Sequence, residues 1–388
     1  MFVNSYSGGN NETIRIGLVG TGYIGRCHAI AYAQVATLFP LKANIKLEYL
    51  AEINQNLAEQ KAKEFGFAHA TGDWRELVSH PNVDVVDICT PNFLHKEIAL
   101  VAIANGKHVY SEKPLALTAD DAKEMVEAAK KAGVKTMVGF NYIKNPTTQL
   151  AREIIQNGEI GEIIHFYGTH NEDYLANPNT PIDWHCYKDK AGLGTLGDLA
   201  AHIINMAHYL VGEQIVSVCG DIQTIITERP DPHNPTQKIQ VENEDQASTL
   251  IRFSNGVMGT IESSRIACGR KMGLTYTVTG TKGTLIYTQE RMAELKLYIH
   301  NDTPSRQGFK TILVGPTHPD YAAFCASAGH GVGFNEQKSV EIRDLINGIA
   351  TNNSIYPDFE EGYNVSKILE AIMISAQQRR WIDINYSS

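Results

Sequence analysis

The chain has 388 residues, of which 43% are hydrophobic and 20% are charged, and its formal net charge at pH 7 is −9. This length favours two globular domains, each long enough to bury a core. The acidic balance and the lack of a long basic run argue against nucleic acid and anionic membrane surfaces as partners.

Targeting and redox signals in the sequence are weak. No stretch approaches the ~18 or more apolar residues of a membrane span. The N-terminal stretch MFVNSYSGGNNETIR lacks the apolar core of a secretion signal, so we expect a cytoplasmic protein. The six cysteines are scattered without a C-x-x-C pair, which is typical of reduced core residues. The sequence therefore predicts no metal site.

The first third of the chain alternates short apolar runs with helical patterns. Strands are predicted at IRIGLVG (14–20), IKLEYLAEI (45–53), VDVVDICT (83–90), KHVYSEKP (107–114) and VKTMVGFN (134–141). Helical segments separate them, and Gly66 is placed to end the helix after the second strand. This rhythm predicts a doubly wound parallel sheet with right-handed crossovers and helices on both faces.

The rhythm changes after Pro146. A helix leads to alternating segments typical of antiparallel strands: GEIIHFYGTH, IVSVCGDIQTII, ASTLIRFSN, GVMGTIESSRI, TYTVTGTKGTLIYT and ELKLYIH. Helical segments at 335–350 and 361–379 close the chain. We therefore expect an α/β domain at 13–145 and an α+β domain with a large open antiparallel sheet at 146–388.

The stretch GLVGTGYIGR contains a G-x-G-x-x-G pattern directly after the first strand and at the start of a helix. Gly20 permits the tight turn, Gly22 lets a diphosphate approach the backbone, and Gly25 lets the helix pack against the strand. Free N–H groups near Tyr23 and Ile24 would face the phosphates at the positive end of the helix. The context therefore favours a dinucleotide site over a plain turn.

Glu52 stands at the end of the second strand, in YLAEIN. A carboxylate at that place accepts hydrogen bonds from the adenosine ribose hydroxyls and repels a 2′-phosphate. It therefore favours NAD over NADP. The alternative is a solvated carboxylate at the start of a helix.

Lys113, in SEKPLA, lies just past a strand end, where a doubly wound sheet opens its ligand crevice. An ammonium there could donate to a reacting oxygen and stabilise charge that develops on it. The alternative is a surface lysine whose stem packs on apolar neighbours.

Asp198 and His202 are four residues apart in DLAAHIINMAHYL, a helical pattern that puts both on one face. A histidine can accept the proton released when a carbinol is oxidised. A nearby carboxylate can orient the ring or a substrate hydroxyl and favour the imidazolium. The alternative is an aspartate that interacts with the helix dipole, beside a core histidine.

Several segments together resemble the motifs of the Gfo/Idh/MocA oxidoreductases: TPNFLH (90–95), EKP (112–114), GFNYIKNP (139–146) and GDLAAHIINMAHYLVG (197–212). Two further segments are similar to the levoglucosan dehydrogenases within that family: WHCYKDKAGLGTLGD (184–198) and GFKTILVGPTHP (308–319). The resemblance covers nearly the whole chain. It implies a Rossmann domain that binds NAD, followed by a substrate-binding domain.

The resemblance also implies roles for individual residues. It places Lys113, Asp198 and His202 beside the nicotinamide as catalytic groups that also contact substrate. Lys113 and the following residues would line the cofactor crevice: Thr90, Pro91, Asn92, His95, Glu112 and Asn141. Further candidate substrate contacts, chosen because a sugar is bound by polar groups and an aromatic platform, are Tyr142, Asp173, Trp184, His185, Tyr187 and His330.

The chain departs from the family at two places. Many members carry arginine where this chain has Ile143-Lys144, and many carry arginine after the tryptophan that is followed here by His185. Two polyol contacts are therefore expected to be altered.

We expect an NAD-dependent dehydrogenase that oxidises a ring hydroxyl of a cyclic polyol or pyranose sugar. The resemblance implies either oxidation at C3, giving a keto sugar, or oxidation of an inositol. Two alternatives stay open: an NAD-dependent glycosidase of the same family, and a non-enzymatic NAD-binding regulator. The open sheet has a face to cover, which favours a homodimer or homotetramer.

Overall fold

The computed structural model describes residues 12–301 and 303–386, so most of the polar N-terminal stretch lies outside the described residues. Its first part is a six-stranded sheet of β1 Thr13–Val19, β2 Asn44–Ala51, β3 His69–Thr71, β4 Val85–Ile88, β5 His108–Ser111 and β6 Thr136–Val138. All neighbouring strands run parallel, in the order β3-β2-β1-β4-β5-β6. This order confirms the predicted doubly wound sheet.

Five helices connect these strands: α1 Tyr23–Leu38, α2 Gln55–Phe65, α3 Trp74–Ser79, α4 His95–Ala104 and α5 Ala119–Ala132. Their ends follow local chemistry. Gly66, with a φ of 85°, ends α2, and the side chain of Thr118 caps α5 by accepting from Asp121 N. The strand β3 was not predicted, because three residues are too short to show a period.

The second part begins with α6 Pro146–Gln156 and β7 Ile163–Asn171, followed by α7 Lys188–Ala191 and α8 Ala201–Val211. The remaining strands are β8 Ile215–Gln223, β9 Glu228–Pro230, β10 Lys238–Gln240, β11 Gln246–Phe253, β12 Met258–Ser264, β13 Gly273–Gly280, β14 Gly283–Thr288, β15 Glu294–Ile299, β16 Lys310–Leu313 and β17 Ile382–Asp383. The remaining helices are α9 Tyr321–Phe324, α10 Phe334–Thr351 and α11 Phe359–Gln378.

Nine of these strands form one large sheet in the order β16-β15-β14-β13-β7-β12-β11-β8-β17. The sheet is mixed, because β7 and β12 run parallel while every other neighbouring pair of described strands runs antiparallel. The predicted large sheet is therefore present. The parallel pair was not foreseen, because periodicity shows which residues face a core but not which strand lies beside which.

The helix α10 follows β16 of the second sheet in the chain but packs on the first sheet, beside α1. Val340, Ile342, Leu345 and Ile346 are fully buried in one apolar cluster that also contains Ile16 of β1. The core of the first domain therefore includes a helix that the expected boundary after residue 145 assigns to the second domain. The last helix, α11, packs on both α5 and β8, so it joins the two domains.

Each helix within residues 12–301 and 303–386 is either too short or too polar to serve as a membrane span.

Candidate active site

A cavity of about 1380 Å³ opens at the carboxyl ends of the parallel strands and continues between the two domains. This is the edge at which doubly wound sheets bind their ligands. Its volume exceeds the roughly 300–1,000 Å³ of ordinary small-molecule pockets. The cavity therefore has room for a dinucleotide and a second small molecule together.

The glycine loop after β1 forms one end of this cavity. Gly20 has a φ of 95°, and a Cβ atom on Gly25 would lie 2.1 Å from the carbonyl oxygen of Gly20. A Cβ on Gly22 would meet no atom within 4 Å, so this glycine leaves open space beside the backbone. The helix α1 starts at Tyr23 with no side-chain cap and no acidic residue in its first turn. The backbone N–H groups of its first turn are therefore free to bind a phosphate.

Glu52 lies at the same end of the cavity, beside the glycine loop. Its Oε2 accepts from Thr21 N at 3.0 Å and from Thr21 Oγ1 at 2.6 Å, and its Oε1 accepts from Ile53 N at 2.9 Å. Arg75 also lines this end, but its guanidinium donates to Glu97 at 2.5 Å. The carboxylate is therefore fixed in place, and the neighbouring cation is already paired.

Lys113 and Asp198 meet at the middle of the cavity, where the domains face each other. Lys113 Nζ donates to Asp198 Oδ1 at 2.7 Å and to the Asp198 carbonyl oxygen at 3.0 Å. Tyr174 donates its hydroxyl to Asp198 Oδ2 at 2.6 Å. Partial burial favours the neutral acid, but the charges of Lys113 and His185 hold the pKa of Asp198 well below its usual range. Asp198 is therefore an ionised partner that fixes the ammonium of Lys113.

His202 lines the same part of the cavity and is 6% exposed. Its ring packs edge-on against Tyr142, with centroids 4.5 Å apart, and its Nδ1 has no hydrogen-bond partner. Burial, followed by the charges of Lys113 and His170, lowers the pKa of His202 well below 6.5. The imidazole is therefore neutral at neutral pH and able to accept a proton.

Asp198 does act to raise the pKa of His202, as expected, but burial and the charges of Lys113 and His170 outweigh it, so the ring is not kept as an imidazolium. The carboxylate bonds to Lys113 and Tyr174, and the pKa of His202 moves down rather than up. Asp198 lies in a wide π-helical turn, Leu196–Ala200, which precedes α8. The two residues do line one cavity, as their spacing predicts, but they act on different partners.

The residues after β4, β5 and β6 form the cavity wall between these two ends. Thr90, Pro91, Asn92, Glu112 and Asn141 all line it. His95 lies behind the wall, where its ring nitrogens are 2.9 Å from the carbonyl oxygens of Thr90 and Pro114. It therefore joins the turn after β4 to the turn that carries Lys113. Gly25 also lies outside the cavity lining, where it lets α1 pack closely against the glycine loop.

The structure brings only some of the candidate substrate residues to the cavity. Tyr142, Trp184 and His185 line it, and the Trp184 and His185 rings stack with centroids 3.8 Å apart. Three others lie outside the lining: Asp173 accepts from Lys271 Nζ at 2.7 Å, Tyr187 packs in a small apolar cluster, and His330 is exposed.

Lys144, at a position where the family often has arginine, also points elsewhere. Its Nζ donates to Asp344 Oδ2 and to the Tyr356 carbonyl oxygen, both at 2.8 Å. Of the two departures from the family pattern, only His185 therefore bears on the cavity.

Sequence reasoning missed three polar residues at the end of β7. His170, Glu172 and Tyr174 line the cavity, and His170 Nε2 is 3.1 Å from Glu172 Oε1. A signal was present, since the segment GTHNEDY is a run of polar side chains where a strand ends, and every second one of them, at 170, 172 and 174, points to the same face. Other lining residues left no such signal: Lys271, Met272, Gln289 and Phe334.

Comparison with family models divides the chain in the same way as the fold. Residues 14–140 match a model described as the oxidoreductase family with an NAD-binding Rossmann fold. Residues 148–286 match a model described as the GFO/IDH/MocA C-terminal domain. The cavity lies where these two matched regions meet.

Curated relatives match over most of their length. Levoglucosan dehydrogenase of Pseudarthrobacter phenanthrenivorans is 39% identical over 385 residues, which cover 96% of this chain and 98% of that protein. The scyllo-inositol 2-dehydrogenase (NAD(+)) of Bacillus subtilis is 32% identical over 252 residues, 65% of this chain and 67% of that protein.

A solved structure of levoglucosan dehydrogenase in complex with NADH and levoglucosan has the same fold. It matches with a TM-score of 0.93 at 40% identity, covering 96% of this chain and 100% of that chain. With the match of residues 14–140, these findings give NAD as the cofactor of this chain.

Glu52 is expected to set the choice between the two nicotinamide cofactors. We expect NADH to bind at least about 100-fold more tightly than NADPH, because the fixed carboxylate repels a 2′-phosphate. Glu52→Ser should narrow this ratio by at least about tenfold, whereas Glu59→Gln, at an exposed position on α2, should leave it unchanged. Fluorescence titration measures the dissociation constants of NADH and NADPH. Equal binding of NADPH to the unaltered protein would contradict the role of Glu52.

Proposed function

The chain belongs to the Gfo/Idh/MocA family of oxidoreductases, and on this premise we propose that it oxidises a ring hydroxyl of a cyclic polyol or pyranose sugar with NAD as the acceptor. The observation that carries the proposal is the meeting of Lys113, Asp198 and His202 in one cavity with the glycine loop. These groups provide a cation, its fixed counter-ion and a neutral base at the carboxyl edge of the sheet.

Oxidation of a ring carbinol to a ketone releases a hydride from the carbon and a proton from the hydroxyl oxygen, and each needs its own acceptor. NAD, when bound, supplies the acceptor for the hydride. His202 accepts the hydroxyl proton, because it lines the cavity beside Lys113 and is neutral. Its enclosure by Tyr142 keeps bulk water away from this side of the ring.

Lys113 stabilises the oxygen as that proton leaves. An ammonium has three N–H donors, and Asp198 takes two of them, through Oδ1 and its carbonyl oxygen. The third is left for the substrate oxygen. Because Asp198 holds the ammonium before substrate arrives, the donor needs no reorganisation during the reaction.

The lining of the substrate end suits an uncharged, hydroxyl-rich ring. Glu172 and His185 provide polar partners for hydroxyl groups, and Trp184 provides an aromatic face. Asp198 and Lys113 neutralise each other, so no unpaired charge between them demands a charged substrate. We place the oxidised hydroxyl at C3 of a levoglucosan-like pyranose, giving a keto sugar, as the resemblance to levoglucosan dehydrogenases implies; an inositol is the second candidate.

Two other functions of this family use the same fold. A glycosidase that uses NAD transiently would show no net formation of NADH. A regulator that only senses NAD has no need of a neutral histidine beside a lysine–aspartate pair, so the site favours an enzyme.

A panel of sugars tests the proposal. With NAD and levoglucosan, other pyranoses or inositols, we expect absorbance of NADH to rise with at least one substrate. Sugar hydrolysis without NADH formation would favour the glycosidase. Complete silence across the panel, with NADH binding intact, would overturn the dehydrogenase.

Lys113→Met tests the role of the ammonium. Turnover is expected to fall about 100-fold or more, as when an oxyanion donor is removed, while the dissociation constant of NADH changes little. Lys131→Met, at an exposed position at the end of α5, is the matched control and should keep full turnover. Turnover of Lys113→Met within a few fold of the unaltered enzyme would remove Lys113 from the mechanism.

We also propose that the protein acts in the cytoplasm, as a homodimer or homotetramer joined through the outward face of the large sheet. The six cysteines are all free, as is usual in a reducing compartment.

The proposed assembly rests on exposed apolar side chains of the large sheet. Leu250 and Met258, on adjacent strands, are about half exposed on the face opposite the buried Ile251 and Ile261. Sedimentation equilibrium should give a dimer or tetramer, and Leu250→Arg should weaken it. A monomeric mass for the unaltered protein at micromolar concentration would contradict this assembly.

A further inference from the structure

A cluster of charged side chains lies in the core directly behind the cavity wall. It consists of His28 on α1, Asp87 on β4, Glu112 after β5, and Lys338 and Glu341 on α10, and none of these is more than 5% exposed. Burying charge is costly unless every charge is paired and hydrogen-bonded. Each charge in the cluster therefore has to be paired with an opposite charge and hydrogen-bonded.

Two cations converge on Glu112. Lys338 Nζ donates to Glu112 Oε1 at 2.5 Å and is 3.0 Å from Glu341 Oε2. His28 Nε2 is 3.0 Å from the same oxygen of Glu112, while its Nδ1 is 2.9 Å from both oxygens of Asp87. Burial opposes the charged form of the His28 ring, but the negative charge of Asp87 outweighs burial and raises the pKa of His28 to about 9. His28 and Lys338 are therefore both charged at neutral pH.

Glu112 connects the buried cluster to the active site. Its Oε2 accepts from the backbone N of Lys113 at 3.2 Å. On another side, Gly139 packs against the carboxylate, because a Cβ atom at that glycine would lie 2.4 Å from Glu112 Oε1. The carboxylate therefore has one place to lie, and that place holds the turn from which Lys113 reaches Asp198.

One face of α10 is directed at this end of the cavity. Phe334 lines the cavity, and Gln337 Oε1 accepts from Asn141 Nδ2 at 3.1 Å. Lys338 and Glu341 follow one and two turns after Phe334. A helix far along the chain thus supports the catalytic turn from behind.

A metal site is the competing interpretation of this cluster. Ligand atoms of His28, Asp87 and Cys89 lie within 4.8 Å of one another. Both nitrogens of His28 already face carboxylates, and the ammonium of Lys338 shares Glu112 with that ring. A further cation would lie among two existing ones, so the geometry favours a closed hydrogen-bonded network.

We propose that Lys338 is a positioning residue for the oxidation: by holding Glu112, it fixes the turn of Lys113 and so places the Lys113 ammonium at the reacting oxygen. This inference rests on the proposed function. Lys338 touches neither cofactor nor substrate, since it lies behind Glu112 and outside the cavity lining. Its effect therefore reaches the reaction only through Glu112 and Lys113.

Lys338→Met tests the proposal, with Lys107→Met as the matched control. Lys107 is also a buried lysine of the first domain, but its Nζ donates to the carbonyl oxygens of His80 and Val83, at the opposite edge of the sheet. We expect Lys338→Met to lower kcat at least about tenfold, with KM for the sugar within about threefold, and Lys107→Met to change neither by more than about twofold. All rates are taken per folded enzyme, well below each variant's Tm.

The double variant Lys338→Met/Glu112→Gln keeps the test valid if Lys338→Met folds poorly. It removes one charge of each sign, leaving Asp87 paired with His28, and the amide oxygen of Gln can still accept from Lys113 N. We expect it to be more stable than Lys338→Met and to regain at least about threefold in kcat. Equal kcat per folded enzyme in the unaltered protein, the single variant and the double variant would overturn the positioning role.

Cofactor binding separates failure of this inference from failure of the proposed function. Silence of the unaltered enzyme on every sugar counts against the function alone. In that case ADP-ribose, which lacks nicotinamide, is compared with NADH. Lys338→Met is expected to weaken NADH binding several-fold while leaving ADP-ribose unchanged, because it releases Glu112, which lines the cavity at the nicotinamide end, whereas Lys113→Met leaves Glu112 in place. Parallel changes for both ligands, or no change for either, would overturn the inference.

Discussion

The ion pair between Lys113 and Asp198 is the constraint to which the two domains must jointly conform. Lys113 comes from the turn after a parallel strand of the first domain, and Asp198 from a π-helical turn of the second. Their 2.7 Å contact therefore exists only when both folds are complete and correctly oriented. A pair of this kind adds little to stability after desolvation, but it fixes a donor where charge develops during the reaction.

The same cavity keeps two basic groups in opposite protonation states. The ammonium of Lys113 is paired with the carboxylate of Asp198, whereas His202 is kept neutral by burial and by the positive groups around it. Environments that separate two ionisable groups in this way assign the acid and the base of a reaction. The aromatic contacts of Tyr142 and Phe140 with His202 contribute by excluding water.

Local patterns predicted those parts of the molecule that depend on neighbours in sequence. The glycine loop, Glu52 and the alternation of strands and helices depend on a few adjacent residues, and they stand where the sequence places them. The parallel pairing of β7 with β12 and the position of α10 depend on contacts between distant segments, which no period reveals.

The candidate site shows the same division. Lys113, Asp198 and His202 meet in one cavity, as motif and spacing predict. The contact of Asp198 with Tyr174 was not predicted, because the sequence does not show which helix the segment after β7 approaches. Asp173, Tyr187 and His330 are polar or aromatic like the residues that line the cavity, and only the fold shows that they lie outside its lining.

The packing of α10 also bears on the synthesis of the chain. The apolar face of β1 that receives α10 is made early by the ribosome, while the helix that covers it emerges near the end, so the nascent first domain exposes this surface for most of translation.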